Sequence, residues 1–218
     1  EVDIFAIMSP FFEQNVNLRC VEILCTDMST SPTFQERVGH FDQIDNVPPR
    51  VSSLILAMST CNHLERIRLC HNNYGYPGPT QVIDSLYGQQ NLLELKLEGS
   101  ELLMDDLANF LSHSQSKILS LELGDVDFDD ESFVLLADSL IENKSIKKFS
   151  VYEGTHDVTA TGWKAFSASL CHSHCSLEIL SLEASDMDDE GVFFFGNSLA
   201  VNKTIKQLSL SCSSFITS

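Results

Sequence analysis

Apolar residues recur along this chain in a short phrase: one apolar residue, two variable residues, an apolar residue, one variable residue and another apolar residue. The seven copies begin at Leu18, Leu64, Leu92, Ile118, Ile146, Leu177 and Ile205. From the second copy onward, successive copies begin about 26 to 31 residues apart. This period is typical of a solenoid built from one repeating strand-and-helix unit.

A second pattern lies between the phrases, as pairs of apolar residues four positions apart. The pairs are Met8 with Phe12, Leu54 with Met58, Val82 with Leu86, Leu107 with Leu111, Leu136 with Leu140, Phe166 with Leu170, and Phe195 with Leu199. Residues four apart share one helix face, whereas alternate residues share one strand face. Each unit is therefore predicted to contain a strand and a helix, and neighbouring units must stack to bury their apolar sides. The strand residues expected to point inward are Leu95, Leu97, Leu121, Leu123, Phe149, Val151, Leu180, Leu182, Leu208 and Leu210.

Two stretches of the chain match each other closely, DDESFVLLADSLIENKSIKKFSV and DDEGVFFFGNSLAVNKTIKQLSL. Each has an acidic helix start, a small or apolar helix face, and Asn-Lys-Ser/Thr before the next strand. In these features the chain resembles the ribonuclease-inhibitor-like class of leucine-rich repeats over nearly its whole length. The resemblance implies an α/β leucine-rich-repeat solenoid, a horseshoe with parallel strands on the concave face and helices on the convex face. The asparagine common after the strand in this class is present here only as Asn72.

We expect residues 1–218 to form a single leucine-rich-repeat domain of about seven repeats. The first two phrases are separated by roughly 18 residues more than one unit, which predicts an insertion near residues 26–50. This insertion contains Phe34 and Phe41. It is either a tolerated surface loop or part of a binding face, where insertions in repeat proteins often gather.

Apolar residues are also expected at both ends of the stack. They are Val2, Phe5, Ile7, Leu208, Leu210, Phe215 and Ile216. Exposed apolar surface of this kind usually marks an interaction site. We therefore expect the chain to be a segment of a longer protein, or to have its ends covered by further repeats or a partner.

The net charge restricts the kinds of ligand. Acidic residues outnumber basic ones by 31 to 13, for a net charge of −18. An anionic surface repels nucleic acid and anionic lipid headgroups. No apolar run reaches the roughly 18 residues of a membrane-spanning helix. We therefore expect a protein partner, no nucleic acid and no direct membrane insertion.

The charges are predicted to separate between the two edges of the solenoid. The acids placed where a strand leads into a helix are Asp105, Asp106, Asp125, Asp127, Asp129, Asp130, Asp186, Asp188, Asp189 and Glu190. The lysines placed where a helix leads back into a strand are Lys117, Lys144, Lys147, Lys203 and Lys206. Helix capping and the helix dipole account for both sets. A basic partner could still use the acidic edge.

The candidate binding surface combines the variable strand positions with the acidic edge. The strand residues are Arg66, Arg68, Glu94, Lys96, Glu98, Glu122, Lys148, Tyr152 and Glu183. The edge residues are Asp125, Asp127, Asp129, Asp130, Asp186, Asp188 and Asp189. Tyr152 is an aromatic of the kind enriched at binding hot spots, and the acids would steer a basic protein toward it. The sequence thus predicts a non-enzymatic scaffold that binds a protein carrying a basic patch beside an apolar or aromatic contact.

The candidate metal motifs of the chain are incomplete, and the common catalytic motifs do not occur. GDVDFDDE offers Asp125, Asp127 and Asp129 at the first calcium-ligand spacings, but lacks the required Gly and the bidentate Glu. The four donors of CHSHC, residues 171–175, are too close together to surround one zinc ion. No nucleophile elbow, P-loop, HExxH or dinucleotide turn occurs. We therefore expect no catalytic residues, no cofactor and no metal.

The cysteines indicate the cellular compartment of the protein. The seven cysteines are odd in number and scattered, which favours an intracellular, cytoplasmic location.

One alternative function is a regulatory or sensor segment of a larger multidomain protein. Another is a GTPase-activating module, by resemblance to Ran GTPase-activating proteins, although none of their catalytic motifs can be matched to residues of this chain.

Overall fold

The computed structural model describes residues 10–11, 15, 17–24, 58–59, 61, 63–70, 78–99, 103–113, 116–183 and 187–211. The strands are β1 (Cys20–Leu24), β2 (Arg66–Cys70), β3 (Glu94–Glu98), β4 (Ser120–Gly124), β5 (Lys148–Tyr152), β6 (Ile179–Glu183) and β7 (Gln207–Ser211). The helices with bounds are α1 (Gly78–Leu86), α2 (Met104–Ser112), α3 (Asp130–Glu142), α4 (Ala160–Cys171) and α5 (Asp189–Val201). The predicted insertion, with Phe34 and Phe41, lies outside the described residues.

All seven strands pair in parallel and in chain order, from β1 to β7, in one open sheet. From β2 onward, described helices alternate with the strands and pack against their neighbours along the stack. This arrangement confirms the predicted α/β leucine-rich-repeat solenoid. No helix in the described part of the chain is long and apolar enough to cross a lipid bilayer.

The apolar phrase sets the strand register. Leu121 and Leu123 on β4 are fully buried and pair in register with Phe149 and Val151 on β5. On β7 the equivalent residue Leu208 is 39% exposed, although it pairs in register with a buried leucine of β6. The same inward position is therefore buried in the middle of the stack and exposed at its last described strand.

Aromatic rings fill the core between α3 and α4. Phe133 and Trp163 are fully buried, with ring centroids 4.9 Å apart, and Phe166 lies 5.1 Å from Phe133. Such edge-on and tilted ring pairs add stability beyond the area that they bury. They bind two neighbouring repeats together at the centre of the stack.

Asparagines join successive repeats at the ends of the helices. The Nδ2 group of Asn143 donates to the carbonyl of Leu111 in the preceding repeat at 2.7 Å, and its Oδ1 accepts from the Ile146 N–H at 2.9 Å. Asn202 makes the same bond to the Leu170 carbonyl at 2.6 Å. The Asn of the Asn-Lys-Ser/Thr motif therefore satisfies backbone groups that the helix end would otherwise leave unpaired.

The residue that follows the strand has a left-handed backbone conformation, with positive φ, in three successive repeats. Gly99 follows β3 with φ 60°, Asp125 follows β4 with φ 49°, and Glu153 follows β5 with φ 62°. Glycine adopts this conformation without cost, aspartate tolerates it, and glutamate rarely does. The turn from the sheet toward the helices is thus the same in all three repeats despite their different residues.

Candidate functional site

The strand residues that point away from the helices form the open sheet face. Each of the five-residue strands β2 to β7 contributes its first, third and fifth residues to three rows that run across the sheet. The first row contains Arg66, Glu94, Ser120, Lys148, Ile179 and Gln207. The middle row contains Arg68, Lys96, Glu122, Ser150, Ser181 and Ser209. The third row contains Cys70, Glu98, Gly124, Tyr152, Glu183 and Ser211. All nine predicted strand residues lie on this face.

Tyr152 is held across the neighbouring strand. Its hydroxyl donates to Glu98 Oε2 at 2.6 Å, although β4 lies between β5 and β3. The ring crosses over Gly124, where an added Cβ would lie 2.0 Å from a ring carbon. Lys96 Nζ lies 2.9 Å from the same oxygen of Glu98 and 5.2 Å from the Tyr152 ring centroid. Glycine at position 124 is therefore what allows the tyrosine to reach the glutamate.

This network fixes the charge of its members. Burial raises the pKa of Glu98, but hydrogen bonds from Tyr152, Lys96 and Cys70 outweigh it and lower the pKa to about 2. The hydrogen bond to Glu98 raises the pKa of Lys96. Burial and then the bond to Glu98 raise the pKa of Tyr152, and the same causes raise the pKa of Cys70 to about 11. At neutral pH the carboxylate and the ammonium are charged and compensate each other.

Two other basic residues on β2 to β5 are also paired. Lys148 contacts Glu122 on β4. Arg68 lies 3.9 Å from Glu22 and 4.0 Å from Glu94. These exposed pairs contribute little stability, but they reduce the net charge that this part of the face presents. Arg66 is exposed and makes no ion pair within the described residues.

Two aspartates of the acidic edge cap their own helices. Asp129 Oδ1 accepts the N–H of Ser132 at 2.8 Å at the start of α3, and Asp188 Oδ1 accepts the N–H of Gly191 at 2.7 Å at the start of α5. The hydrogen bond from the Ser132 hydroxyl, with that from its N–H, lowers the pKa of Asp129. Both residues satisfy N–H groups that have no partner inside the helix.

Asp130 caps the helix of the next repeat. Its carboxylate accepts the Thr159 N–H at 2.8 Å, the Thr159 hydroxyl at 2.6 Å and the Gly162 N–H at 3.0 Å. Burial raises the pKa of Asp130, but these bonds outweigh it and lower the pKa. A Cβ at Gly162 would lie 2.8 Å from Asp130 Oδ1. Asp130 therefore joins α3 to α4.

The remaining described acids of the predicted binding edge are not used in this way. The side chains of Asp125, Asp127 and Asp189 are exposed and make no hydrogen bond or ion pair within the described residues. Asp186 lies outside the described residues. The predicted acidic edge thus contains both capping carboxylates and carboxylates that face solvent.

The opposite edge is less basic than its lysines suggest. Glu178 lies 2.6 Å from Lys206 and 3.8 Å from Lys147, so that one carboxylate bridges two lysines of neighbouring repeats. The hydrogen bond from Lys206 lowers the pKa of Glu178. Lys117, Lys144 and Lys203 are exposed. The two edges therefore differ in the sign of their exposed, unpaired side chains, which are aspartates on one edge and lysines on the other.

The CHSHC segment also contacts the next repeat. The Cys171 thiol donates to the Ser198 carbonyl at 3.8 Å, and the Cys175 sulfur accepts from the Thr204 hydroxyl at 3.7 Å. Within the described residues, no group of three or more His, Cys, Asp or Glu side chains is arranged to hold a metal ion.

Sequence reasoning placed Glu98, Lys96 and Tyr152 on one face but missed their connection. The signal that could have revealed it is Gly124, the only glycine in the third row of β2 to β7. A missing side chain between two long polar ones allows them to meet across a strand. The use of Asp130 by the following helix was missed as well.

The described residues form a solenoid of the leucine-rich-repeat type with one open sheet face. No family model matches the sequence. The chain is similar to Protein NLRC5 of Ictalurus punctatus, with 26% identity over 171 residues, 78% of this chain and 10% of that protein. It is also similar to human NACHT, LRR and PYD domains-containing protein 14, with 23% identity over 194 residues, 88% of this chain and 17% of that protein. The chain thus spans less than a fifth of the length of either relative.

Proposed function

We propose that this chain is a non-enzymatic protein-interaction scaffold whose partner carries a basic patch. The observation that carries the proposal is the set of exposed carboxylates, Asp125, Asp127 and Asp189, that the fold does not use for capping. Unpaired charges of one sign on one edge attract an oppositely charged protein and increase its association rate. The partner's basic patch would meet this edge.

The open sheet face supplies the remainder of the proposed contact. Tyr152 is fixed by Glu98 before any partner arrives. A side chain that is already held in one conformation loses less entropy on binding. Tyrosine is also enriched among residues that dominate binding energy. The partner would therefore place an apolar or aromatic side chain near Tyr152.

A regulatory segment of a larger intracellular protein is the second candidate. It is favoured by the similarity to two much longer proteins, one of which is named for its NACHT, LRR and PYD domains. Cys20, Cys61, Cys70, Cys171 and Cys175 are thiols rather than disulfides, which supports a reducing compartment. In this setting the same surfaces would bind either a separate protein or another domain of the same protein.

The test begins with capture of partners from cell extract and identification by mass spectrometry. Association rates with the purified partner are then measured over a range of salt concentrations. The test variant combines Asp125→Asn, Asp127→Asn and Asp189→Asn. The matched control removes the same charge from exposed helix positions, through Asp84→Asn, Asp138→Asn and Glu142→Gln.

We expect association with the test variant to slow by about tenfold at low salt and to lose most of its salt dependence, because steering by the edge has been removed. The control variant should change the rate much less. Equal effects of the two variants would show that only net charge matters. Unchanged rates in both would overturn the basic-partner proposal.

A further inference from the structure

A pocket lies between the repeats of α1 and α2, at the edge where each helix leads back to its strand. Its lining includes the buried apolar side chains of Leu86, Leu92, Phe110 and Ile118. It encloses about 320 Å³, counting the part that is open to solvent. This volume lies at the lower end of the range for small-molecule sites. The pocket therefore fits a single small ring system.

Gln89 brings an unused hydrogen-bond acceptor to this pocket. The residue lines the pocket and is only 7% exposed, and its Nε2 group donates to the Met58 carbonyl of the preceding repeat at 2.5 Å. The Oε1 atom is buried and has no hydrogen-bond partner within the described residues. Because a buried acceptor without a donor is unfavourable, a ligand that donates to it removes that penalty.

The equivalent residues of two other repeats show why this oxygen is unused. Gln89, Asn143 and Asn202 each lie three residues before the first residue of an apolar phrase. Asn143 Oδ1 accepts the N–H of that first residue, Ile146, at 2.9 Å, and Asn202 makes the same bond at 2.8 Å. In the Gln89 repeat, the N–H of Leu92 donates to the Gln89 backbone carbonyl instead, at 3.3 Å. The glutamine side chain is one carbon longer, and its oxygen is left without a donor.

Aromatic rings and a second unused oxygen belong to the same lining. The Tyr87 ring packs edge-on against Phe110, with ring centroids 5.3 Å apart, and against His113, with ring centroids 5.4 Å apart. Tyr87 is 40% exposed and forms part of the rim. The Ser116 Oγ atom is buried and has no hydrogen-bond partner in the described part of the chain. The rings favour a planar ligand, and the amide oxygen of Gln89 can only accept, so the ligand must carry a donor.

The charges around the pocket favour a neutral ligand. Lys117 lines the pocket, is exposed and makes no ion pair within the described residues, so that it disfavours a cation. The helices α1 and α2 end beside the pocket, at Leu86 and Ser112. The negative pole of a helix dipole lies at this end and disfavours an anion. The two effects oppose each other, and neither sign of charge is favoured.

We propose that this pocket binds a small, neutral, planar heteroaromatic molecule that carries a ring N–H. The N–H would donate to Gln89 Oε1, and the ring would enter beside Tyr87 and pack against the buried apolar lining. The Ser116 hydroxyl would bond to a second polar atom where the ligand has one. This site is separate from the open sheet face and from the acidic edge, and it does not depend on the protein-binding function proposed above.

The test compares indole with 1-methylindole, two probes of similar shape of which only indole has an N–H. Binding to the whole 218-residue chain is followed by the shifts of backbone amide signals in NMR titrations. We expect indole to shift the signals of residues 86–92 and 110–118. It should bind about tenfold more tightly than 1-methylindole, as for one hydrogen bond to a buried acceptor.

Gln89→Asn is the variant that tests the acceptor. Asparagine holds this position in two other repeats, where the backbone engages its oxygen. We expect the variant to keep its thermal midpoint and to bind indole about tenfold more weakly, so that the two probes bind alike. Gln207→Asn makes the same replacement at an exposed glutamine on β7. This matched control should leave the preference for indole unchanged.

Equal binding of the two probes by the wild-type chain would overturn the proposal, and this comparison does not depend on any variant. A preference for indole that persists in Gln89→Asn would also overturn it, because the N–H would then have another acceptor. Absence of saturable shifts up to the solubility limit of indole would do the same and would leave Gln89 Oε1 to an ordered water. None of these results bears on the binding of a basic protein at the acidic edge.

Discussion

The acidic edge contains two sets of aspartates that look alike in the sequence and differ in the structure. Asp129, Asp130 and Asp188 each accept backbone N–H groups at a helix start. Asp125 and Asp127 lie only a few residues away and face solvent. The difference is the presence of unpaired N–H donors within reach. Charge density alone therefore does not identify a binding surface, and only the second set is available to a partner without loss of structure.

Replacing Asp130 should have the largest effect on stability. Asp130→Ala removes three hydrogen bonds, two to Thr159 at the N-cap of α4 and one to Gly162 in its first turn, and we expect the free energy of unfolding to fall by about 1–3 kcal/mol, as for hydrogen bonds to charged groups. Chemical denaturation followed by circular dichroism measures this change. Asp127→Ala is the control, with no measurable loss expected. Equal losses in the two variants would remove the distinction between the two sets.

Asp129→Ala should have a smaller effect. It removes the cap of α3 but leaves the connection between α3 and α4, so that about 1 kcal/mol should be lost. Asp129→Ser, which can still cap the helix, should recover most of this loss. If Asp129→Ser were as unstable as Asp129→Ala, the carboxylate would matter for its charge rather than as a cap.

The repeating architecture could be predicted from the sequence because the signals are local. Leu121 and Leu123 occupy alternate positions within one strand, and their burial follows from that spacing. The repeated apolar phrase also sets the inward position of Leu208. Its side chain is exposed because burial at that position requires packing against an adjacent repeat.

The details of the site could not be predicted because they depend on register between repeats. Tyr152 meets Glu98 across 54 positions of the chain, and only because Gly124 lies between them. Asp130 bonds to Thr159, 29 residues later. Spacing within one repeat gives no information on which donor of the next repeat is unpaired, so the two sets of aspartates could not be separated from the sequence.

Acid should abolish the contribution of the capping set. The folded-state pKa values of Asp129 and Asp130 are lowered from the usual value of 3.8. Their contribution is therefore fully present above the unfolded pKa and is lost as the pH falls through the folded values. We expect the difference in unfolding midpoint between wild type and Asp130→Ala to be constant near neutral pH and to shrink below about pH 4. A difference that persisted at the lowest pH would mean that the bonds do not require the charge.

The smallest effect is expected at Asp125, where stability and binding should change in opposite directions. Asp125 is left-handed, with φ 49°, and its carboxylate faces solvent. Asp125→Gly should raise the free energy of unfolding by roughly 0.5 kcal/mol, because glycine adopts this conformation without steric cost. The same variant should associate more slowly with a basic partner, since one steering charge is lost.

Asp125→Asn separates the two effects, because asparagine tolerates the left-handed conformation but carries no charge. It should reproduce the slower association with little gain in stability. If Asp125→Gly destabilised the fold, Asp125 would belong with the capping aspartates, and the division of the acidic edge would have to be redrawn at that residue.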